Sequence, residues 1–339
     1  MRIVLIAIVI FGALLLGAQP PVGAAKTEAG ATETPPESCL SLETFAVPAG
    51  DHPHDVAPAA DGTSVWYTGQ GSGVLGLFDP TTGESERIPL GDGSAPHGVI
   101  VGPDGAAWVT DGGLNAIVRV DAETLAVATY PLPAASGFAN LNTAVFDGDG
   151  ILWFTGQAGL IGRLDPAAGE VVVWPAPRGR GPYGIAASAG GVSFVSLAGN
   201  YLGLIEETAA GIQITELEPP TSDAGPRRVW ENSAGMLWIS EWNAGQVGRY
   251  DPATGEWREW RLPGATPQAY AVYVDERDDV WLSDFSANAL VRFDPDTETF
   301  ASLLLPDPGA AVRQIHGRPG EVWGAESAVD KLVVVRTAC

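Results

Sequence analysis

An aromatic residue embedded in a short apolar run recurs along this 339-residue chain at Trp66, Trp108, Trp153, Phe194, Trp238, Trp281 and Trp323. The successive intervals are 42, 45, 41, 44, 43 and 42 residues. A single non-repeating core imposes no such pitch, so the chain reads as a repeat protein. A unit of this length holds four short strands, the size of a propeller blade. The expected fold is all-β: a seven-bladed β-propeller with four antiparallel strands per blade.

The second unit shows the pattern. Pro96 to Val101 opens as an inner strand, and Pro103-Asp104-Gly105 is a tight turn. Ala107 to Thr110 returns, Asn115 to Val120 follows, and Leu125 to Leu132 is the outer strand. Asp-Pro pairs at Asp79, Asp165, Asp251 and Asp294 start the corresponding turns of other units, because proline presets the first φ of a type I turn. The last unit stops after its third strand, Lys331 to Arg336, and the N-terminal segment Leu42 to Pro48 has the look of the missing outer strand. The last blade is therefore expected to be closed by the N-terminal strand.

The N-terminus reads as a secretory signal peptide over residues 1–25: Arg2, an apolar run from Ile3 to Gly17, then small residues at Val22 to Ala25. An uncleaved anchor is the alternative, but the run is shorter than the roughly 20 residues of a spanning helix. Residues 26–38 read as a flexible spacer and 39–339 as the propeller. The expected location is secreted, periplasmic or extracellular. A formal charge of −23 argues against nucleic acid or an anionic membrane as partner and suits a soluble monomer. The two cysteines, Cys39 and Cys339, bracket the repeats. In an exported chain they predict a disulfide that pins the closure, two free thiols being the alternative.

Aligning the units gives a ring of residues at one mouth of the central channel: His54, His97, Asn142, Tyr183, Arg227 or Arg228, Tyr270 and Arg313. The second strands end nearby, at Asp111, Glu241, Asp284 and Glu326 among others. Mixed polar and aromatic residues at a propeller mouth point to a pocket for a small molecule or peptide. The expected ligand-binding residues are His54, His97, Tyr183, Arg228, Asp111 and Glu241. A His or Tyr beside a carboxylate can move a proton, and clustered carboxylates can hold a hard divalent cation. The competing reading is that these groups close the funnel with hydrogen bonds and ion pairs. His316 reads as a core histidine, His52 as a surface residue, and Trp242 as outer-strand packing. Walker, dinucleotide and nucleophile-elbow motifs are absent from the sequence.

The phrases Pro182-Tyr183-Gly184-Ile185, Leu152-Trp153-Phe154-Thr155 and Leu237 to Arg249 resemble the virginiamycin B lyase (streptogramin B lyase) family across all the units. The resemblance implies a propeller that linearises a cyclic depsipeptide by elimination at its ester bond, with Mg2+. It also implies a His opening blade six, a Glu-Pro-His opening blade seven, and a Glu after that blade's anchor. Here Tyr270, or Gln268 in another register, takes the first place, Ala310-Ala311-Val312-Arg313 the second, and Glu326 the third. The candidate catalytic residues are thus Glu326, Tyr270 and Arg313, with Glu326 and Asp284 as candidate metal ligands. His54 and His97 form a similar pair displaced around the ring.

Overall fold

The computed structural model describes residues 40–337 apart from 189 and 210. The leader at 1–25, the spacer at 26–38, Cys39 and Cys339 lie outside the described residues. Within them, strands form seven four-stranded antiparallel sheets, joined by turns and one 3-10 turn, Ala134–Ser136. The innermost strands are Pro53–Pro58, Pro96–Val101, Leu141–Phe146, Pro182–Ser188, Pro226–Glu231, Ala269–Val274 and Val312–Arg318. Each touches the next, and the seventh touches the first, so the sheets stand around a channel as a closed propeller.

Closure follows the expected route. Ser41–Ala46 pairs antiparallel with Lys331–Arg336, with Ser41 opposite Arg336 and Ala46 opposite Lys331. Phe45 on that strand lies 5.1 Å from the Phe78 ring of blade one and 5.9 Å from Trp323 of blade seven. One short segment therefore ties the last blade to the first.

The tryptophans explain the pitch. Each points from its second strand into the neighbouring blade. Trp238 packs with Val272, Leu282 and Phe293, and Trp153 with Ile185, Val192 and Phe194. The indole N–H of Trp108, Trp153, Trp281 and Trp323 donates to Asp104, Asp147, Asp275 and Glu321, at or beside the turn before the strand. Turn and anchor are thus one local unit. The Asp-Pro turns work similarly: the Asp79 carboxylate accepts the Thr81 N–H at 2.7 Å, and Asp165, Asp251 and Asp294 make the same kind of bond, as does Asp121 in its Asp-Ala turn.

Blade four breaks the aromatic ruler by one residue. Trp153 lies opposite Arg163 and Trp238 opposite Arg249, but the equivalent pairing in blade four is Ser193 with Leu204. Phe194 instead lies opposite Gly203, as Phe154 lies opposite Gly162, so it points to the other side of its sheet. The gap toward blade five is filled from that blade by Tyr250 and Trp257, whose rings are 5.1 Å apart. An aromatic in an apolar run marks a second strand without fixing its face.

Candidate ligand site at the channel mouth

All seven inner strands lose regular register just after their first paired residue. This bulge leaves backbone groups unpaired, and a hydroxyl on the second strand satisfies them. Thr110 Oγ1 accepts the Gly98 N–H at 2.9 Å and donates to Asn142 O, in the next blade, at 2.5 Å. Thr68 accepts from Asp55 N and donates to His97 O, both at 2.9 Å. Thr155 bridges Thr143 to Tyr183, and Ser240 bridges Arg228 to Tyr270. Each bridge seats a mouth residue of the following blade. Val195 and Ala325 occupy that place in blades four and seven.

In blade five the two residues at the bulge reach across the channel. Arg227 stacks over Tyr270, its guanidinium carbon 3.5 Å from the ring centroid, and lies 4.2 Å from that of Tyr183. It donates to Tyr183 Oη at 2.5 Å, and the two phenol oxygens are 3.3 Å apart. Phe285 stacks on Tyr270 at 4.5 Å, and Trp242 meets both rings edge-on. Arg313 donates to Tyr270 Oη at 3.4 Å and to Ser327 Oγ at 2.8 Å. Arg228 crosses to blades three and one, donating to Thr143 Oγ1 and lying 3.5 Å from Asp55.

This concentrates positive charge inside an acidic protein. Among the described residues, the only acid in an ion pair with any of these three arginines is Asp55, and the Nε atoms of Arg227 and Arg228 are buried without an acceptor. Buried cations of this kind favour an incoming anion. The phenols respond oppositely. Burial holds Tyr183 at about 12, whereas Arg227, Arg228 and Arg313 outweigh burial at Tyr270 and bring it below the ordinary phenol value.

His54 and His97 also meet, their ring centroids 3.8 Å apart. His54 Nδ1 is 2.7 Å from Asp55 Oδ1; His97 Nδ1–H donates to Asn142 O at 3.1 Å. Burial, reinforced by the arginines, holds His54 well below the ordinary imidazole range; burial and His54 do the same for His97. Both rings are therefore neutral at physiological pH. Burial also pushes Asp55 up.

Among the described residues, His54, Asp55 and His97 are the one group of three metal-capable side chains with donor atoms within 4.8 Å of one another. Two imidazoles and one carboxylate suit a transition metal, whereas Mg2+ takes oxygen ligands. At blades six and seven, Tyr270 and Arg313 stand beside Arg227, a cationic set that does not fit Mg2+.

Of the expected site residues, the structure brings together His54 with His97, and Tyr183, Arg228, Tyr270 and Arg313 around Arg227. The acids at the ends of the second strands sit apart from them. Asp111 accepts from Ser94 Oγ, Ala95 N and Leu114 N; Asp284 accepts from Gln268 N, Ser286 N and Ala287 N. These carboxylates hold loops. Glu241 accepts from Gln246 Nε2 at 2.6 Å, and burial followed by the charge of Glu259 raises it to about 8. Glu326 is buried with both oxygens unpartnered, and burial followed by Asp307 raises it to about 7. Its charged neighbours are Asp307 and Lys331 rather than the mouth arginines.

Sequence reasoning missed Asp55, Trp242 and Phe285. Asp55 follows a named histidine by one residue, and a bulge at that point is the signal that would have included it. Trp242 and Phe285 follow directly on the ends of their second strands, Glu241 and Asp284, a position at the mouth rather than in an outer strand.

A family model described as the virginiamycin B lyase family matches residues 37–252. The virginiamycin B lyase of Nocardia farcinica is 32% identical over 234 residues, which is 69% of this chain and 77% of that protein. A catalytically inactive histidine-to-alanine variant of the Staphylococcus aureus virginiamycin B lyase, solved with quinupristin, superposes with a TM-score of 0.79 at 22% identity. The match covers 88% of this chain and all (100%) of that one. YCF48 bound to a D1 peptide superposes with a TM-score of 0.67 at 16% identity, covering 91% of this chain and 99% of the other.

Proposed function

The chain belongs to the virginiamycin B lyase family, and from that premise we propose that it is an exported, monomeric propeller that binds a carboxylate-bearing small molecule or peptide at the channel mouth. The observation that carries this reading is the cluster of Arg227, Arg228 and Arg313 around the Tyr183 and Tyr270 hydroxyls, with Asp55 the one acid paired with it among the described residues. A carboxylate is the ligand group that guanidinium forks recognise best. Trp242 and Phe285 add an aromatic wall. A groove of about 540 Å³ beside them, lined by Trp242, Ala265, Pro267 and Gln268, gives room for the rest of the ligand. Binding of quinupristin and of a D1 peptide by the two structural neighbours supports a ligand of this size.

Elimination with Mg2+ is not part of this reading. The blade-six and blade-seven positions that the resemblance assigns to histidines hold Tyr270 and Arg313, and Glu326 sits apart from both. The test is calorimetry on the mature protein with N-acetylated dipeptides, each as the free acid and as the C-terminal amide. The acids are expected to bind at least about tenfold more tightly, and Arg313→Gln to remove that preference. A streptogramin B incubated with the protein is expected to stay intact with or without Mg2+. Ring-opened product by mass, or equal binding of acid and amide, would overturn the reading.

A further inference from the structure

The inner strands run from the mouth toward the opposite face, and the residues in their second halves enclose a separate space. It has a volume of about 320 Å³, with walls from Ile100, Val145, Phe146 and Trp230. Arg228, Asp55 and Thr143 form the brace that crosses the channel above it. Asp55 and Thr143 also line the space, at the mouth end. An apolar cavity of about 150 Å³ already accommodates a benzene ring, so this one admits one or two rings.

Its polar groups are few: Asp55 is engaged by His54 and Arg228, and Thr143 by Arg228, and two further acceptors remain. Gln314 lines the cavity at 7% exposure, and its Oε1 is buried without a hydrogen-bond partner. His316 lines it too. Its Nδ1–H donates to Gly317 O at 3.2 Å, which leaves Nε2 as an acceptor on a neutral ring. The ring packs edge-on to Trp230 at 5.1 Å, making an aromatic corner. An acceptor without a donor in an otherwise apolar enclosure costs stability and is satisfied by a ligand that brings the donor.

We propose that the half of the channel away from the mouth is a second binding site, for a neutral aromatic molecule of one or two rings carrying a hydroxyl or amino donor. Asp55, the one carboxylate in the lining, lies 3.5 Å from Arg228, so the pair offers a charged ligand no net charge to balance. The site is independent of the carboxylate reading at the mouth.

The test uses phenol and anisole, which differ by a methyl on the oxygen that donates. Calorimetry on the mature protein should show phenol binding at least about tenfold tighter than anisole, since anisole leaves the acceptor unpaired. Gln314→Met together with His316→Phe, which removes both acceptors at similar bulk, should bring the two affinities within about twofold. Val145→Phe, which fills the cavity, should abolish binding of both. Methyl NMR of Ile and Val places the ligand independently of any variant: shifts are expected at Ile100 and Val145. Equal affinities in the wild type, retained binding in Val145→Phe with a native melting transition, or shifts confined to residues at the mouth would each overturn the proposal.

Discussion

At the scale of single residues, the mouth depends on groups chosen for what they leave out. Gly184 is one: a Cβ there would sit 2.6 Å from Arg228 Cα and 2.9 Å from Val229 N. Both are backbone atoms of blade five, so Gly184→Ala would push away the strand that carries Arg227 and Arg228. A loss of about 1–3 kcal/mol in denaturant unfolding is expected, together with weaker binding of the acid dipeptides. Unchanged unfolding would mean that blade five yields freely. Glu241 and Glu326 pose a different question. Folding raises them to about 8 and about 7, so each keeps a proton that the unfolded chain releases near the ordinary glutamate value of about 4.3. Across that window the unfolded state binds fewer protons, and stability falls as pH rises until both groups are ionised. The double variant Glu241→Gln, Glu326→Gln should therefore melt on the order of 10 °C higher than the wild type at pH 8. Little difference is expected near pH 4. Melting curves whose pH dependence runs parallel in the two proteins would sink this account.

At the scale of strands and turns, local chemistry was legible and facing was not. Asp-Pro turns, the Trp-bearing second strands and six of the seven inner-strand starts could be placed from sequence, because each rests on contacts within a few residues, such as Asp104 with Trp108. The mouth residues at the second inner position followed from the same alignment. Two things did not follow. Phe194 and Ser193 exchange faces in blade four, since one residue of slip in a strand inverts its facing and the compensation comes from Tyr250 and Trp257 in the next blade. The acids ending the second strands were expected at the mouth, yet Asp111 and Asp284 turn to backbone N–H groups of neighbouring loops. Spacing alone does not reveal that demand. The hydroxyl bridges are the element that connects these levels, because each ties a bulge to the blade beyond it. Thr110→Val keeps the shape but strands Gly98 N–H in a buried place and leaves Asn142 O with the His97 Nδ1–H alone. The expected cost is about 2 kcal/mol, or a fall in Tm of roughly 4–8 °C. A Tm within a degree of wild type would show that the bulge finds other partners.

At the scale of the whole molecule, the ring is only as closed as its shared blade. Deleting residues 1–46 would remove the partner of Lys331–Arg336 and the Phe45 ring, exposing a Val-rich strand edge. An edge of that kind pairs with other chains. The truncated protein should elute as oligomers in size-exclusion chromatography, whereas the mature chain is expected to elute as a monomer. Cys39 lies two residues before Ser41, and Cys339 three after Arg336, which pair with each other at the end of the same ladder. The expected bond between them acts on the other side of the equilibrium. It restricts the unfolded chain, by about 5–6 kcal/mol in the chain-entropy model, and leaves the folded ring unchanged. The double variant Cys39→Ser, Cys339→Ser should therefore melt on the order of 10 °C lower yet remain monomeric and bind the acid dipeptides as before. Thiol titration of the unreduced, unfolded wild type should find no free thiol. If the serine variant instead oligomerises like the truncation, the cysteines hold the folded strand in place rather than merely limiting the unfolded chain. Two free thiols in the wild type would leave Ser41–Ala46 to close the ring by pairing and packing alone.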